Sequence, residues 1–435
     1  SPGLVIKNTR VRYVAEPSQI AERLDVDTVL SGAVQLQESK LKITYLISRG
    51  ADNVTIGSGE VDGDLQRIFS LQERLATEVL HDLIGTPVSD ATTAYTPDPA
   101  AYNHYMRGMY ALEHRGEADN LENAIRLFQE SIRLDEKFGP AYLSLATAYA
   151  LMPYYRNLPV QETDRAAIQI VEKGIAVDNH IADAASAIYG SAYHQEKRWS
   201  AAEAAYRRAI SARPVDSTAF NWYSRMLNSV GRLDDALVQA LAGEAIDPDN
   251  GVMNSRVAIV YTWLGESEKA HEFFRRAEDL GGSGPMHLLA YALLLIREGR
   301  ISEAQEIAVA SARMAQLNAD WIRPVFSAFS DPALAEEALA ALDRVSGSAI
   351  IEPEVLVTAR TMLGDVDGAM AVARRLEEPG EWFQMDLLFA PELQALRDHP
   401  DFMPLLEQLG VVDYWETAGC TFDGEKASCP ADERL

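Results

Sequence analysis

The two cysteines are the residues whose type and spacing most clearly suggest chemistry. Cys420 and Cys429 are the only cysteines and lie nine positions apart in a loop-like stretch, CTFDGEKASC. We favour a disulfide that closes this short loop, which suits a chain exported to an oxidising compartment. Free thiols are the first alternative. A metal site is the second, although two thiolates with no histidine nearby make an incomplete zinc site.

The other residue types that commonly carry chemistry form no catalytic or metal-binding pattern. The eight histidines are scattered, and the sequence contains no HExxH, GxSxG, P-loop or GxGxxG motif. Gly281-Gly282-Ser283-Gly284 lacks the Lys-Ser/Thr that follows a phosphate-binding loop, so we interpret it as a linker. The sequence therefore predicts no enzyme activity in this chain, no cofactor and no metal ligand.

The composition restricts the classes of partner. With 39 Lys+Arg against 65 Asp+Glu, the chain carries a net charge of −26, which argues against nucleic acid or an anionic membrane as a partner. No run of 18 apolar residues is present, so we predict no membrane span. The chain opens Ser1-Pro2-Gly3, with neither an initiator Met nor an apolar signal segment. We therefore expect a mature product or a fragment.

A 34-residue repeat is the strongest pattern in the chain. One column of small residues recurs at this spacing: Ala202, Ala236, Ala270 and Ala304. A glycine lies five residues before three of these alanines: Gly231, Gly265 and Gly299. The columns predict two helices per repeat, with the small residues where helices pack closely and the glycine at a left-handed helix end. Pro214 and Pro248 then end the second helix.

This pattern resembles the tetratricopeptide repeat. The matching small, aromatic and proline positions occur in the family's order at Gly190, Tyr193, Ala202, Tyr206, Ala209 and Pro214. The resemblance implies a mostly α fold, a right-handed α-solenoid of about eight helical pairs over residues 100–378. Two departures are expected, an insertion at Met152–Gln161 and a shortened unit near Asp320–Asp343. In residues 379–435, we expect helical stretches at Pro391–Arg397 and Phe402–Leu409 to cap the last apolar face.

Residues 1–86 do not follow the repeat and predict a small α/β module, joined to the array by a linker over residues 87–99. The predicted strands are Leu4–Val14, Thr28–Gln35, Leu41–Ser48 and Val54–Val61, and the predicted helices are Pro17–Leu24 and Gln66–Leu83. The segment AERLDVDTVLSG, followed by LKIT, resembles the module related to the TolB N-terminal domain. That module's first strand and first helix are missing here.

Together, the two resemblances imply the periplasmic regulatory region of a bacterial membrane-anchored signalling protein. In such proteins an adenylate cyclase or CadC-like winged-helix domain precedes a single membrane helix, so we expect this chain to be tethered by an upstream segment. Two alternatives remain open. The chain could be an accessory scaffold subunit of a larger membrane complex, or the regulatory part of an enzyme, an adenylate cyclase whose catalytic domain lies upstream of Ser1.

The repeat resemblance also implies a peptide-binding groove lined by the first helix of each pair. Polar residues occupy the groove positions, with the last one place off its column: His194, Asn221, Arg225, Asn228, Ser255, Thr262 and Arg297. Amides and guanidinium groups in a groove could hold an extended protein or peptide partner, or its carboxylate. The alternative is that these are merely exposed helix residues. Leu289 and Leu293 stand at equivalent positions and are apolar, which suggests that the tail or a partner fills the groove there.

Overall fold

The structure is a computed structural model that describes most of the chain. The described residues are 16–24, 26–38, 40–64, 68–84, 98–115, 119–155, 160–212, 216–314, 319–345, 351, 353–377 and 384–430. They are mostly helical, with 21 α-helices and five short strands among them. The expected strand Leu4–Val14 lies outside these residues.

The described N-terminal residues form a three-stranded antiparallel sheet with two helices. In chain order the elements are α1 (Pro17–Leu24), β1 (Thr28–Gln37), β2 (Lys40–Arg49), β3 (Thr55–Asp64) and α2 (Ile68–Ile84). The predicted hairpin between β1 and β2 is confirmed, since Gln37 pairs with Lys40. Alternate residues of β2 point to one face, where Leu41 and Ile47 are buried with Leu71 and Val79 of α2. One face of the sheet therefore holds the core of this module.

Eight helical pairs follow, as the repeat predicts. Their helices are α3 (Pro99–Glu113), α4 (Asn120–Leu134), α5 (Gly139–Tyr155), α6 (Val160–Val177), α7 (Ala182–Gln195), α8 (Trp199–Ile210), α9 (Ser217–Ser229), α10 (Leu233–Ile246), α11 (Gly251–Trp263), α12 (Ser267–Asp279), α13 (Pro285–Arg297), α14 (Ile301–Met314), α15 (Ile322–Ser330), α16 (Ala335–Val345), α17 (Pro353–Met362) and α18 (Val366–Ala373). The two helices of every pair pack on each other, and each pair from α3–α4 to α13–α14 packs on the pair that follows it.

The repeated columns have the predicted roles. The four alanines spaced by 34 residues are all fully buried. Gly231, Gly265 and Gly299 have φ values of 74°, 77° and 75°, the left-handed conformation in which glycine alone is unstrained. The shared spacing therefore reflects shared helix contacts and shared helix ends.

Two irregular regions differ in detail from the prediction. The insertion expected at Met152–Gln161 is partly helical, since α5 continues to Tyr155 with Pro153 in its last turn and α6 begins at Val160. Proline has no N–H to donate to the carbonyl four residues earlier, so α5 ends soon after Pro153. The shortened unit near Asp320–Asp343 is present as the brief pair α15 and α16.

The C-terminal tail (residues 384–430) contains α19 (Gln394–Arg397), α20 (Phe402–Gln408), α21 (Val411–Ala418), β4 (Thr421–Phe422) and β5 (Ala427–Ser428). Two 3₁₀ turns, Met385–Phe389 and Pro391–Leu393, precede α19. The tail contacts the last helical pair, as a cap would, through His399 and Asp367. It then continues back to the middle of the array, where it shares one apolar core with α8 to α11. The sequence suggested that the tail or a partner fills the groove near Leu289 and Leu293, but it did not predict the contacts of the tail with α8 to α11.

Candidate functional site

The first helices of successive pairs bring the predicted groove residues to the concave face. The interpretation of these residues as merely exposed is wrong for five of the seven, since these five are buried: His194, Arg225, Asn228, Ser255 and Thr262. Asn221 and Arg297 are half-buried. Neighbouring helices contribute to this burial, since His194 bonds to Ser229 and Ser255 bonds to His287, and the start of the tail packs on α9 and binds Arg256 of α11.

Asp386 of the tail is the acidic residue placed deepest in the groove. Its Oδ2 lies 3.4 Å from Nη1 of Arg256 on α11, and both side chains are buried. Nε of the same guanidinium donates to Oδ1 of Asn221 at 3.4 Å. The predicted groove amide thus orients a guanidinium group that binds a carboxylate from another part of the chain.

Arg297 binds a second tail carboxylate. Its Nε and Nη2 donate to the two carboxylate oxygens of Glu392 at 2.7 and 3.0 Å, and Nη1 donates to the Thr262 carbonyl at 3.1 Å. Bidentate pairing of this kind is among the strongest side-chain interactions and fixes the orientation of both partners. The hydroxyl of Thr262 instead donates to the Ala258 carbonyl within α11. Thr262 therefore contributes its backbone to the site.

A second set of contacts, outside the predicted groove positions, holds the later part of the tail. Arg232 Nη1 donates to Tyr414 at 2.6 Å and lies 2.9 Å from Glu203, and the Tyr414 hydroxyl donates to Glu203 at 2.8 Å. Burial raises the pKa of Glu203, but Arg232 and its hydrogen bonds outweigh burial and hold the pKa below its usual value. Indole N–H groups complete the contact, from Trp199 to the Leu409 carbonyl and from Trp415 to the Val230 carbonyl. No repeat column marks these residues.

The two cysteines form a disulfide, which selects one of the three alternatives left open by the sequence. The bridge closes the β4–β5 hairpin. Ala427 N donates to the Gly231 carbonyl at 2.8 Å, and Lys426 lies 2.7 Å from Asp234. The hairpin is therefore attached to the array at the glycine that ends α9.

Arg225, at the centre of the predicted groove, has a different environment from Arg256 and Arg297. Its guanidinium stacks on the ring of Tyr154 at 4.2 Å. Its Nε and Nη2 are buried and have no hydrogen-bond partner among the described residues, and the same holds for both amide atoms of Asn228. Burial, with Arg225 nearby, holds the pKa of His194 well below its usual value. Burial raises the pKa of Asp164 to about 7, although Arg225 opposes the shift.

A cavity of about 100 Å³ remains open beside this cluster, between α5, α9, α11 and the start of α13. Within the described parts of the chain, no three His, Cys, Asp or Glu residues are grouped so that they could hold a metal ion. In the same parts, no helix is both long enough and apolar enough to cross a membrane.

Comparisons with known proteins bear on the repeats. Residues 180–310 match a family model described as tetratricopeptide repeat. Superkiller protein 3 of Schizosaccharomyces pombe is 26% identical to this chain over 184 residues. The matched residues make up 41% of this chain and 12% of that relative's length.

Among solved structures, a tetratricopeptide repeat protein from Parabacteroides merdae is 12% identical, with 71% of this chain and 98% of that chain covered and a TM-score of 0.34. Yeast Tom70 is 13% identical, with 78% and 76% covered and a TM-score of 0.33. The family match and the eight stacked pairs agree on the fold, a helical solenoid of tetratricopeptide type preceded by a small α/β module.

Proposed function

Because the chain carries tetratricopeptide repeats, whose stacked helix pairs serve as protein-interaction scaffolds, we propose that it is a non-catalytic scaffold that binds an extended, acidic segment of a protein partner. The binding surface is the concave face at Arg256 and Arg297. In this proposal the tail is an intramolecular occupant that a partner segment displaces in part.

One observation carries the proposal. The concave face already holds a segment of the same chain, residues 384–392, which forms 3₁₀ turns and carries two acidic residues. Asp386 and Glu392 of this segment bind Arg256 and Arg297, and the apolar side chains Leu387 and Phe389, which lie between the two acids in the sequence, are fully buried. Two guanidinium anchors separated by an apolar strip constitute a recognition pattern that another chain could satisfy equally well.

We further propose that the scaffold is the periplasmic regulatory region of a bacterial membrane-anchored signalling protein. The disulfide supports an oxidising compartment, and the order of an α/β module followed by repeats supports the signalling context. An upstream cyclase or winged-helix domain would then receive the signal. An accessory subunit of a membrane complex, and the regulatory part of an adenylate cyclase, remain the competing assignments.

A peptide competition experiment tests the scaffold proposal. A labelled peptide of residues 384–393, QMDLLFAPEL, is titrated with the full chain and with the variant D386N/E392Q, whose own tail is weakened. We expect the variant to bind this peptide more tightly than the unaltered chain does, because the competing tail contacts are lost. A peptide carrying Asn and Gln in place of the two acids is the control. Equal binding of both peptides to the variant, or no binding of either, would refute acidic recognition by this face.

The cellular setting requires a separate measurement. Intact mass and fractionation of the native protein should reveal a longer precursor with a cyclase or winged-helix domain, and an oxidised Cys420–Cys429 pair on the periplasmic side. A precursor with only a signal peptide or a single anchor would favour the accessory-subunit assignment. A cytosolic chain with reduced cysteines would contradict the periplasmic placement.

A further inference from the structure

The cavity of about 100 Å³ on the concave face has a lining of unusual charge. Arg115, Arg225 and Arg256 contribute to its wall, and none of the described lining residues is an aspartate or a glutamate. The chain as a whole has 65 acidic residues against 39 basic ones. The negative net charge of the chain repels anions from most of its surface, whereas this cationic cavity attracts them locally.

Of these three arginines, only Arg256 is paired with a carboxylate among the described residues, and Arg115 is only half-buried. Arg256 has Asp386 as its carboxylate partner. Arg115 donates to neutral acceptors, the Tyr155 hydroxyl and the Leu112 carbonyl. Arg225 is only 7% exposed and has no carboxylate within 4.0 Å among the described residues, and its Nε and Nη2 have no acceptor there. A buried cation without a counter-charge is costly, and an anion in the adjoining cavity would remove that cost.

The start of α13 adds a second source of positive potential. The helix begins at Pro285, its N-cap Gly284 has no side chain to accept from the first turn, and both residues line the cavity. The amide N–H groups of Met286 and His287 lie in that first turn, which has no intrahelical acceptors. His287 Nδ1 is bonded to Ser255 Oγ at 3.1 Å, whereas its Nε2 has no hydrogen-bond partner among the described residues and lies 3.8 Å from Glu278.

We infer that this cavity is a binding site for a compact oxyanion, a phosphate or carboxylate group, with Arg225 as its central ligand. A guanidinium group and a helix N-terminus are the groups that proteins use for such anions. The volume accommodates one small anion with a few waters. The anion is either a free small molecule or an acidic side chain of a partner. The site adjoins the tail contacts, since Arg256 and Gln384 also line it, but Asp386 and Glu392 bind Arg256 and Arg297 and leave Nε and Nη2 of Arg225 without an acceptor among the described residues.

The test uses the full chain in chloride buffer of constant ionic strength. Sodium phosphate, sodium succinate and the tripeptide acetyl-Gly-Asp-Gly-amide are titrated by calorimetry, and thermal unfolding is recorded with each. Arg225→Met removes the guanidinium but keeps the apolar stem that stacks on Tyr154. Arg208→Gln is the matched control, because Arg208 is exposed and pairs with Asp183 on the surface. We expect Arg225→Met to weaken anion binding at least ~tenfold, and Arg208→Gln to leave it unchanged.

Thermal unfolding provides a readout that a merely structural Arg225 would not produce. Without an oxyanion, Arg225→Met should melt no lower than the unaltered chain, because an unpaired buried charge has been removed. The oxyanion should then raise the melting temperature of the unaltered chain only. Binding of phosphate or succinate identifies a free anion, and binding of the tripeptide alone identifies a side-chain source. No binding of any probe, or equal binding by Arg225→Met, overturns the inference, and neither result affects the peptide competition described above.

Discussion

Gly231→Ala tests whether the tail is seated on the array as described. Gly231, Gly265 and Gly299 occupy the same repeat position with nearly the same left-handed φ. A Cβ added at Gly231 would meet Cε1 of Phe389, a tail residue, at 2.6 Å, whereas a Cβ at either of the other two would meet nothing within 4 Å. The three alanine variants therefore share one backbone effect and differ in one tail contact.

The magnitude follows from these two terms. Alanine in the left-handed conformation costs about 1–2 kcal/mol in each variant. At Gly231 the Cβ must also displace the fully buried ring of Phe389, and overpacking of this kind costs about 1–3 kcal/mol more. We expect Gly231→Ala to lower the free energy of unfolding by about 2–5 kcal/mol, and the two control variants by about 1–2 kcal/mol.

Urea unfolding followed by far-UV circular dichroism measures these differences, with the slope of the transition as a check that the unfolding reaction is unchanged. Limited proteolysis supplies an independent readout, since a displaced tail should be cleaved earlier in Gly231→Ala than in Gly265→Ala. If the three variants agreed to within about 0.5 kcal/mol, and their tails were cleaved at equal rates, the seating of Phe389 on Gly231 would be refuted.

Three further perturbations probe charge and covalent linkage. Glu203→Gln should destabilise the chain by about 1–3 kcal/mol in urea, because Arg232 loses one buried carboxylate and keeps Asp235. The lowered pKa of Glu203 means that its contribution is complete above the usual pKa and is lost as pH falls through the folded value, so the variant should lose less stability on acidification. Asp164→Asn should raise the melting temperature at pH 8 but not at pH 4. Burial raises the pKa of Asp164 from its usual value of 3.8 to about 7 in the folded chain. Protonated Asp164 therefore contributes its full stabilisation of the fold below about pH 4, and this contribution is lost as the pH rises through 7. Reduction of the Cys420–Cys429 disulfide should lower the free energy of unfolding by about 2–3 kcal/mol, because the loop becomes free in the unfolded chain. The C420S/C429S variant should unfold identically with and without dithiothreitol. If dithiothreitol did not change the unfolding of the unaltered chain, this prediction would be wrong.

The sequence predicts the local and neighbouring contacts well. Small residues recur at one helix-packing position, and the glycines of one column follow the ends of α9, α11 and α13, so Gly231, Gly265 and Gly299 locate three helix ends, whereas Lys197 takes the same conformation after α7 without a glycine. The strand alternation and short connection at residues 38–40 likewise predict the N-terminal hairpin. Such contacts link residues within one or two repeats and leave a periodic trace in the sequence.

The path of the tail leaves no such trace. Trp199 and Leu409 are 210 residues apart, and Arg232 and Tyr414 are 182 residues apart. Each of these contacts occurs once, so no column repeats it. The groove residues were predicted from repeat position, but the sequence did not show that tail carboxylates would bind two arginines of this face, Arg256 and Arg297. Arg297 was identified as one place off its column, and its partner Glu392 explains why a charged residue suits that position.

The tail also changes how the array must fold. In a simple stack of helical pairs each unit depends only on its neighbours, so the ends can fray independently and assembly can begin anywhere. Here residues 384–430, synthesised after the array, complete the core of the earlier helices α8 to α11. This raises the contact order and couples the middle of the array to the segment that follows it. During synthesis, the central pairs must therefore remain incompletely packed until residues 384–430 emerge, and their uncovered apolar residues would then need protection by chaperones.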